Sequence, residues 1–145
     1  MRKHIEQSNL IESVQDPQEV TQSLKAWHYL ERQPKLTNEV VLKTHGIIMD
    51  RLWPQIAGRY RSVDVVVGGR VCPPWALVQA AMDEWLSMYH TMEPKQAHIS
   101  FEHIHPFRDG NGRTGRMLMW WQETQLAQEP TLIEFKNRFR YYRWF

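Results

Sequence analysis

The chain has 145 residues and a formal net charge of +2, with 42% hydrophobic and 23% charged residues. That length suits one domain and is short for two, and the composition suits a packed globule rather than a disordered chain. The near-balanced charge demands no nucleic-acid partner, and a lone cysteine, Cys72, excludes an internal disulfide framework and a multi-cysteine zinc site.

The first residues, Met1 to Glu6, lead into polar sequence with no apolar signal region, so a cytoplasmic location is the expectation. Apolar runs such as Val65 to Val67 and Met117 to Trp121 are far too short for a transmembrane segment. Lys3 to Val14 predicts a short helix, with Ile5, Leu10, Ile11 and Val14 at roughly helical spacing. Asp16 and Pro17 then open a second helix as cap and first residue, with Glu19 at the capping-box position. It runs to about Arg32 and stops before Pro34. Thr37 caps a third helix reaching about Leu52.

The period changes after Gly58. Arg59 to Val71 is β-branched and glycine-containing, which predicts a small hairpin. Cys72-Pro73-Pro74 closes it and opens a helix over roughly 75–91, and Pro94 opens another ending near Ile104. A helical pattern covers Gly112 to about Gln128. The basic, aromatic stretch from Phe135 to Phe145 reads as a terminal helix docking its aromatics on the core. Nucleic acid and a membrane surface are the weaker alternatives for it.

The chemistry concentrates between His105 and Arg116. Gly110 and Gly112 flank Asn111, where a backbone able to take positive φ can turn its N–H groups into an anion-binding concavity. A helix starts there, and its dipole end favours phosphate. Arg113 and Arg116 lie on one face of its first turn, an unfavourable place for two cations unless an anion answers them. Asp109, a single carboxylate beside a phosphate cradle, suits Mg²⁺. His105 suits a general base, and Phe107 turns inward as the loop's anchor. His98, His103 and His105 lack the spacing of a helical metal pair. Trp120 and Trp121 are expected to pack beneath the loop.

His105 to Arg116 resembles the signature of the Fic family, HxFx(D/E)GNGRxxR, at every specified position. Gly112 stands where the related Doc toxins carry lysine. Gly58 to Gly69 resembles the family's flap, GxYRxxxVxIGG, a hairpin that clamps the target segment. The resemblance implies a mainly α, compact Fic-type helical domain over 1–145, with a small β-hairpin flap at 58–72 beside the active-site loop at 105–116. It also implies a protein adenylyltransferase that moves AMP from ATP to a Ser, Thr or Tyr hydroxyl of a protein docked on the flap. In that reading His105 is the base and Asp109 holds Mg²⁺. Gly110, Asn111 and Gly112 cradle phosphates, Arg113 neutralises the β-phosphate side, and Arg116 fixes the γ-phosphate.

Ser8 to Ser13 resembles the family's inhibitory motif, (S/T)xxxE(G/N), with Ser13 departing from Gly or Asn. Residues 1–15 are then an inhibitory helix whose Glu12, on one face with Ser8, pairs with Arg116 and blocks the γ-phosphate position. Net removal of AMP, transfer of another nucleotide, and a non-catalytic interaction protein are the alternatives. Self-modification and a homo-oligomer stay open.

Overall fold

A computed structural model describes all 145 residues. Seven α-helices alternate with one two-stranded hairpin: α1 (Arg2–Ile11), α2 (Pro17–Leu30), α3 (Asn38–Met49), β1 (Val66–Val67), β2 (Arg70–Val71), α4 (Val78–Met88), α5 (Pro94–Ile104), α6 (Asn111–Gln125) and α7 (Arg138–Tyr142). Short 3₁₀ turns precede and follow α4 and lead into α7. No helix is long and apolar enough to cross a membrane.

The helix starts follow local chemistry. The Asp16 carboxylate accepts the Gln18 N–H at 2.8 Å, with Pro17 in the first turn. Thr37 Oγ1 accepts the Val40 N–H at 3.2 Å. Glu19 does not close a capping box. It is buried and meets Arg51 Nε at 3.1 Å, tying α2 to the end of α3. The helix over 75–91 is α-helical only between Val78 and Met88.

α6 is the central element. Every residue from Arg113 to Glu123 is buried, with α1, α3 and α5 packed around it. That encirclement accounts for a helix carrying charged residues yet showing no solvent face. Trp120 and Trp121 lie toward its far end rather than beneath the loop. Their indoles donate to the carbonyls of Thr131 at 2.9 Å and Gln33 at 3.3 Å. At that end large amphipathic rings find carbonyl acceptors, whereas the loop end is occupied by charged and small side chains.

α1 is shorter than its apolar spacing suggests. It ends at Ile11, and Ser13 takes φ 60° while the Val14 N–H returns to the Asn9 carbonyl at 2.9 Å. This left-handed closure favours Gly or Asn. The hairpin is also shorter than 59–71. Only Val66 pairs with Val71 and Val67 with Arg70, across Gly68 and Gly69 at φ 56° and 81°. Two successive positive φ values give the tight turn that matches strand twist. The strands cannot extend back to Arg59, because Arg61 is committed to the loop that follows α5.

Candidate active site

α5 ends at His105, which caps it at φ 49°. A histidine in this left-handed conformation needs external support. Arg61 supplies it. Its Nε donates to the His105 carbonyl at 2.8 Å and its backbone N–H to the Pro106 carbonyl at 2.9 Å. The remaining guanidinium donors reach carbonyls of Val63, Pro73 and Ile104. Arg61 is buried, so this flap-motif arginine shapes the loop rather than a docked segment.

The loop floor is equally closed. Phe107 is fully buried and stacks on His45 with ring centroids 3.7 Å apart. Burial lowers the His45 pKa to about 4, so the ring is neutral at pH 7. Its Nδ1 accepts the Gly58 N–H at 3.0 Å, which leaves Nε2 as the protonated nitrogen, donating to the Asp109 carbonyl at 3.0 Å. Asn111 clasps the loop from the other side. Its amide accepts the Phe107 N–H and donates to the Phe107 carbonyl, both at 2.8 Å. The Asn111 side chain is therefore taken up by the loop itself. Any cradle is made of backbone N–H groups.

The two loop glycines have different reasons. Gly110 sits at φ 77°, and a Cβ there would come within 2.7 Å of Met49 Sδ. Gly112 is helical, contrary to the expectation of positive φ, and is needed for space. A Cβ there would overlap Glu12 Oε1 and lie 3.0 Å from Arg116 Nη1. The Thr114 N–H makes the first bond of α6, to the Gly110 carbonyl, so the N–H groups of Asn111, Gly112 and Arg113 stand ahead of the ladder. Glu12 thus brings a carboxylate to the positive end of α6, where the helix dipole favours negative charge.

Ser8, Glu12 and Arg116 converge. Arg116 is fully buried, with Nη2 at 2.6 Å from Glu12 Oε1 and 3.1 Å from the Ser8 carbonyl. Its Nε donates to Ser8 Oγ at 2.8 Å and Nη1 to the Tyr141 hydroxyl at 2.9 Å. Burial opposes its charge, but Tyr141, Glu12 and Glu102 outweigh that and raise its pKa. Arg113 is buried too, yet its Nε and Nη1 have no partner, and Nη2 reaches only Met49 Sδ at 3.1 Å. Burial lowers its pKa, with Asp109 and Glu12 working against the loss. Orphaned guanidinium donors beside free helix N–H groups fit a polyphosphate. Asp109 is exposed and gives one oxygen to the Gly110 N–H at 2.6 Å. A second carboxylate oxygen beside an anion site fits Mg²⁺, which takes one or two carboxylates plus phosphate oxygens.

A family model described as Fic/DOC matches residues 35–122. The chain belongs to the Fic/DOC family. It is 33% identical over 124 residues to protein adenylyltransferase Fic of Drosophila erecta, covering 79% of this chain and 25% of that protein. With the Drosophila yakuba protein of the same name it shares 34% over 118 residues, 75% of this chain and 24% of that one. The chain therefore spans about a quarter of the length of these Fic relatives. Its fold matches Fic-1 (aa134–508) from C. elegans with a TM-score of 0.77 at 22% identity, over 94% of this chain and 47% of that one. A Fic family protein from Desulfovibrio desulfuricans G20 matches with a TM-score of 0.77 at 25% identity, over 98% and 55%.

Some residues of this Fic site carried no sequence signal. His45 sits mid-helix with nothing to distinguish it from a core residue. Tyr141 lies in the tail that was expected only to cover the core, and it enters the Arg116 cluster. Its pKa is raised by burial, with Arg116 opposing. His98, without metal-pair spacing, is buried, lowered by burial to about 4, and meets the Tyr141 hydroxyl at 2.9 Å.

Proposed function

We propose that this Fic chain is a protein adenylyltransferase held in check by α1. AMP passes from ATP to a Ser, Thr or Tyr hydroxyl of a protein segment lying along the flap. The observation that carries the reading is the unanswered Arg113 beside the N-terminus of α6, with Glu12 seated on the same turn. The family membership and the names of the relatives support the reaction class.

In this mechanism Arg113 and the leading N–H groups of α6 hold the phosphate chain, which phosphoryl-type transfer needs more than covalent help. His105 takes the hydroxyl proton as the hydroxyl oxygen bonds to the α-phosphorus. The bond from that phosphorus to the bridging oxygen breaks, and pyrophosphate leaves. Asp109 would hold Mg²⁺, which when bound neutralises charge on the phosphates. Arg61 fixes the loop so that the His105 ring is aimed from a rigid carbonyl. Arg116 has its fork engaged by Glu12, Ser8 and Tyr141, so it cannot also receive a γ-phosphate in that geometry. Self-modification and assembly of like chains are compatible with this scheme, and the exposed Val66 and Val71 of the flap offer the docking edge.

The test is incubation with labelled ATP, Mg²⁺ and a cell lysate, comparing wild type, Glu12→Gly and Glu12→Gly/His105→Ala. Glu12→Gly should raise labelling roughly 30- to 150-fold, the equivalent of losing a charge-assisted contact of ~2–3 kcal/mol. The added His105→Ala should remove at least ~10²-fold while ATP still binds. Labelling that falls in Glu12→Gly would overturn the brake. Labelling that survives His105→Ala would overturn the base. Release of AMP from a labelled target by wild type, lost in Glu12→Gly, would assign Glu12 to removal instead.

A further inference from the structure

Glu102 sits one turn before His105 on α5 and is buried, an expensive place for a carboxylate. Its Oε2 lies 3.6 Å from His105 Nδ1. Glu102 Oε1 and His105 Nδ1 are both buried and without a hydrogen-bond partner. The orphaned Nδ1 and Oε2 stand slightly too far apart to bond, and a small rotation of either side chain closes the gap, while the orphaned Oε1 crowds Gly115 together with His98 Nδ1.

Gly115 makes room for this arrangement. A Cβ there would come within 2.8 Å of Glu102 Oε1 and of His98 Nδ1. The carboxylate is kept charged by its surroundings. Burial alone would raise its pKa, but His105, His98 and Arg116 overcome this and lower it. From α7, Tyr141 is the further titratable neighbour. From the flap, Arg70 donates to the carbonyls of Glu102 and His103 and leaves the carboxylate to the histidine. A cavity of ≈ 390 Å³, lined by Val67, Gly68, Arg70, Glu102, Tyr142 and Phe145, reaches Glu102 between the flap and the C-terminal tail.

Resting on the adenylyltransferase reading, we propose that Glu102 is a positioning residue that holds His105 in the tautomer protonated at Nδ1 and leaves Nε2 as the atom that receives the target's proton. A bare Nδ1 would turn its lone pair toward a carboxylate, whereas Nδ1–H turns a donor toward it. The carboxylate also stabilises the imidazolium formed when Nε2 takes the proton, without itself accepting that proton.

The experiment compares wild type with Glu102→Gln, an isostere that keeps the volume and can present its amide N–H to Nδ1. Ring ¹⁵N shifts of His105, recorded without substrate, should show the Nδ1–H tautomer in wild type and a loss of that preference in Glu102→Gln. In the Glu12→Gly background, Glu102→Gln should lower kcat at least ~10-fold with KM for ATP unchanged, because a misassigned tautomer disables the base and not the phosphate site. An unchanged tautomer would overturn the proposal, and so would a changed tautomer with an unchanged kcat. If Glu12→Gly labels no protein at all, the transferase reading fails by itself, and the ¹⁵N shifts still decide whether Glu102 sets the ring.

Discussion

Arg113 and Arg116 stand three residues apart on α6, both are buried, and their circumstances are opposite. On the side facing α1, Arg116 has every donor nitrogen occupied, by Ser8, Glu12 and Tyr141. On the side facing α3, Arg113 has two nitrogens without a partner and a third against a thioether. Residue type and helical spacing are the same, so neither explains the difference. What differs is which neighbouring helix brings an anion. α1 brings a carboxylate and a hydroxyl, while α3 brings Met49 and a neutral His45. One half of the site is internally satisfied and the other is not. Stability is expected to reside in the first and function in the second.

The largest effect should come from exchanging each arginine for a shape-similar apolar residue. Arg116→Met leaves Glu12, Ser8 and Tyr141 without their shared partner and should cost ~3–5 kcal/mol, the range for breaking a buried pair. Arg113→Met removes a buried charge that lacks most of its hydrogen bonds and should change stability by no more than ~1 kcal/mol, while ATP affinity falls at least ~10-fold. Urea unfolding and ATP titration of both variants measure this. Equal destabilisation would break the comparison.

Acid offers a second test, confined to the α3 side. His45 is neutral in the folded protein with its pKa lowered to about 4, against about 6.5 when unfolded. Its contribution to stability is therefore complete above pH 6.5 and is lost as pH falls toward 4, on the order of 3 kcal/mol across that window. Protonation would place an N–H against the Gly58 N–H it now accepts. Protection of the Gly58 amide in hydrogen exchange should fall over this range ahead of that of the α1 amides. Protection that stays level down to pH 4 would rule out the His45 strut.

The smallest effect concerns the end of α1. Ser13 holds a left-handed conformation at φ 60°. Ser13→Gly should stabilise the fold by ~1 kcal/mol, by relieving a position where a side chain is disfavoured. Because α1 would dock more firmly, basal labelling should fall slightly rather than rise. A rise would mean that the α1 side is not the complete half.

Much of this arrangement is legible in the chain. Pro17 and Pro94 mark helix starts, the motif from His105 to Arg116 marks the family and the start of α6, and the spacing of Ser8 and Glu12 places them on one face. What is not legible depends on elements distant in sequence. Gly112 reads as a turn residue until Glu12 is seen against it. Arg61 reads as part of a strand until its donors are found on carbonyls around the loop. His45, Glu102 and Tyr141 look like ordinary helix residues, because their neighbours come from segments whose packing no local pattern encodes. The hairpin reads longer than it is, since β-branched composition from Val63 onward cannot reveal that Arg61 anchors the approach elsewhere.

The placement of Glu12 in α1 has a consequence for how the protein comes into being. It precedes its partner Arg116 by 104 residues. A ribosome therefore delivers the carboxylate before the loop, the N-terminus of α6 and the arginine it meets. Chains emerge from the N-terminus and pack as they lengthen. On the proposed restraint by α1, the carboxylate is thus already present when the loop first appears, and a nascent chain need never pass through an interval with that loop complete and Glu12 still to be made. A restraining segment placed after α6 would leave such an interval on every chain synthesised.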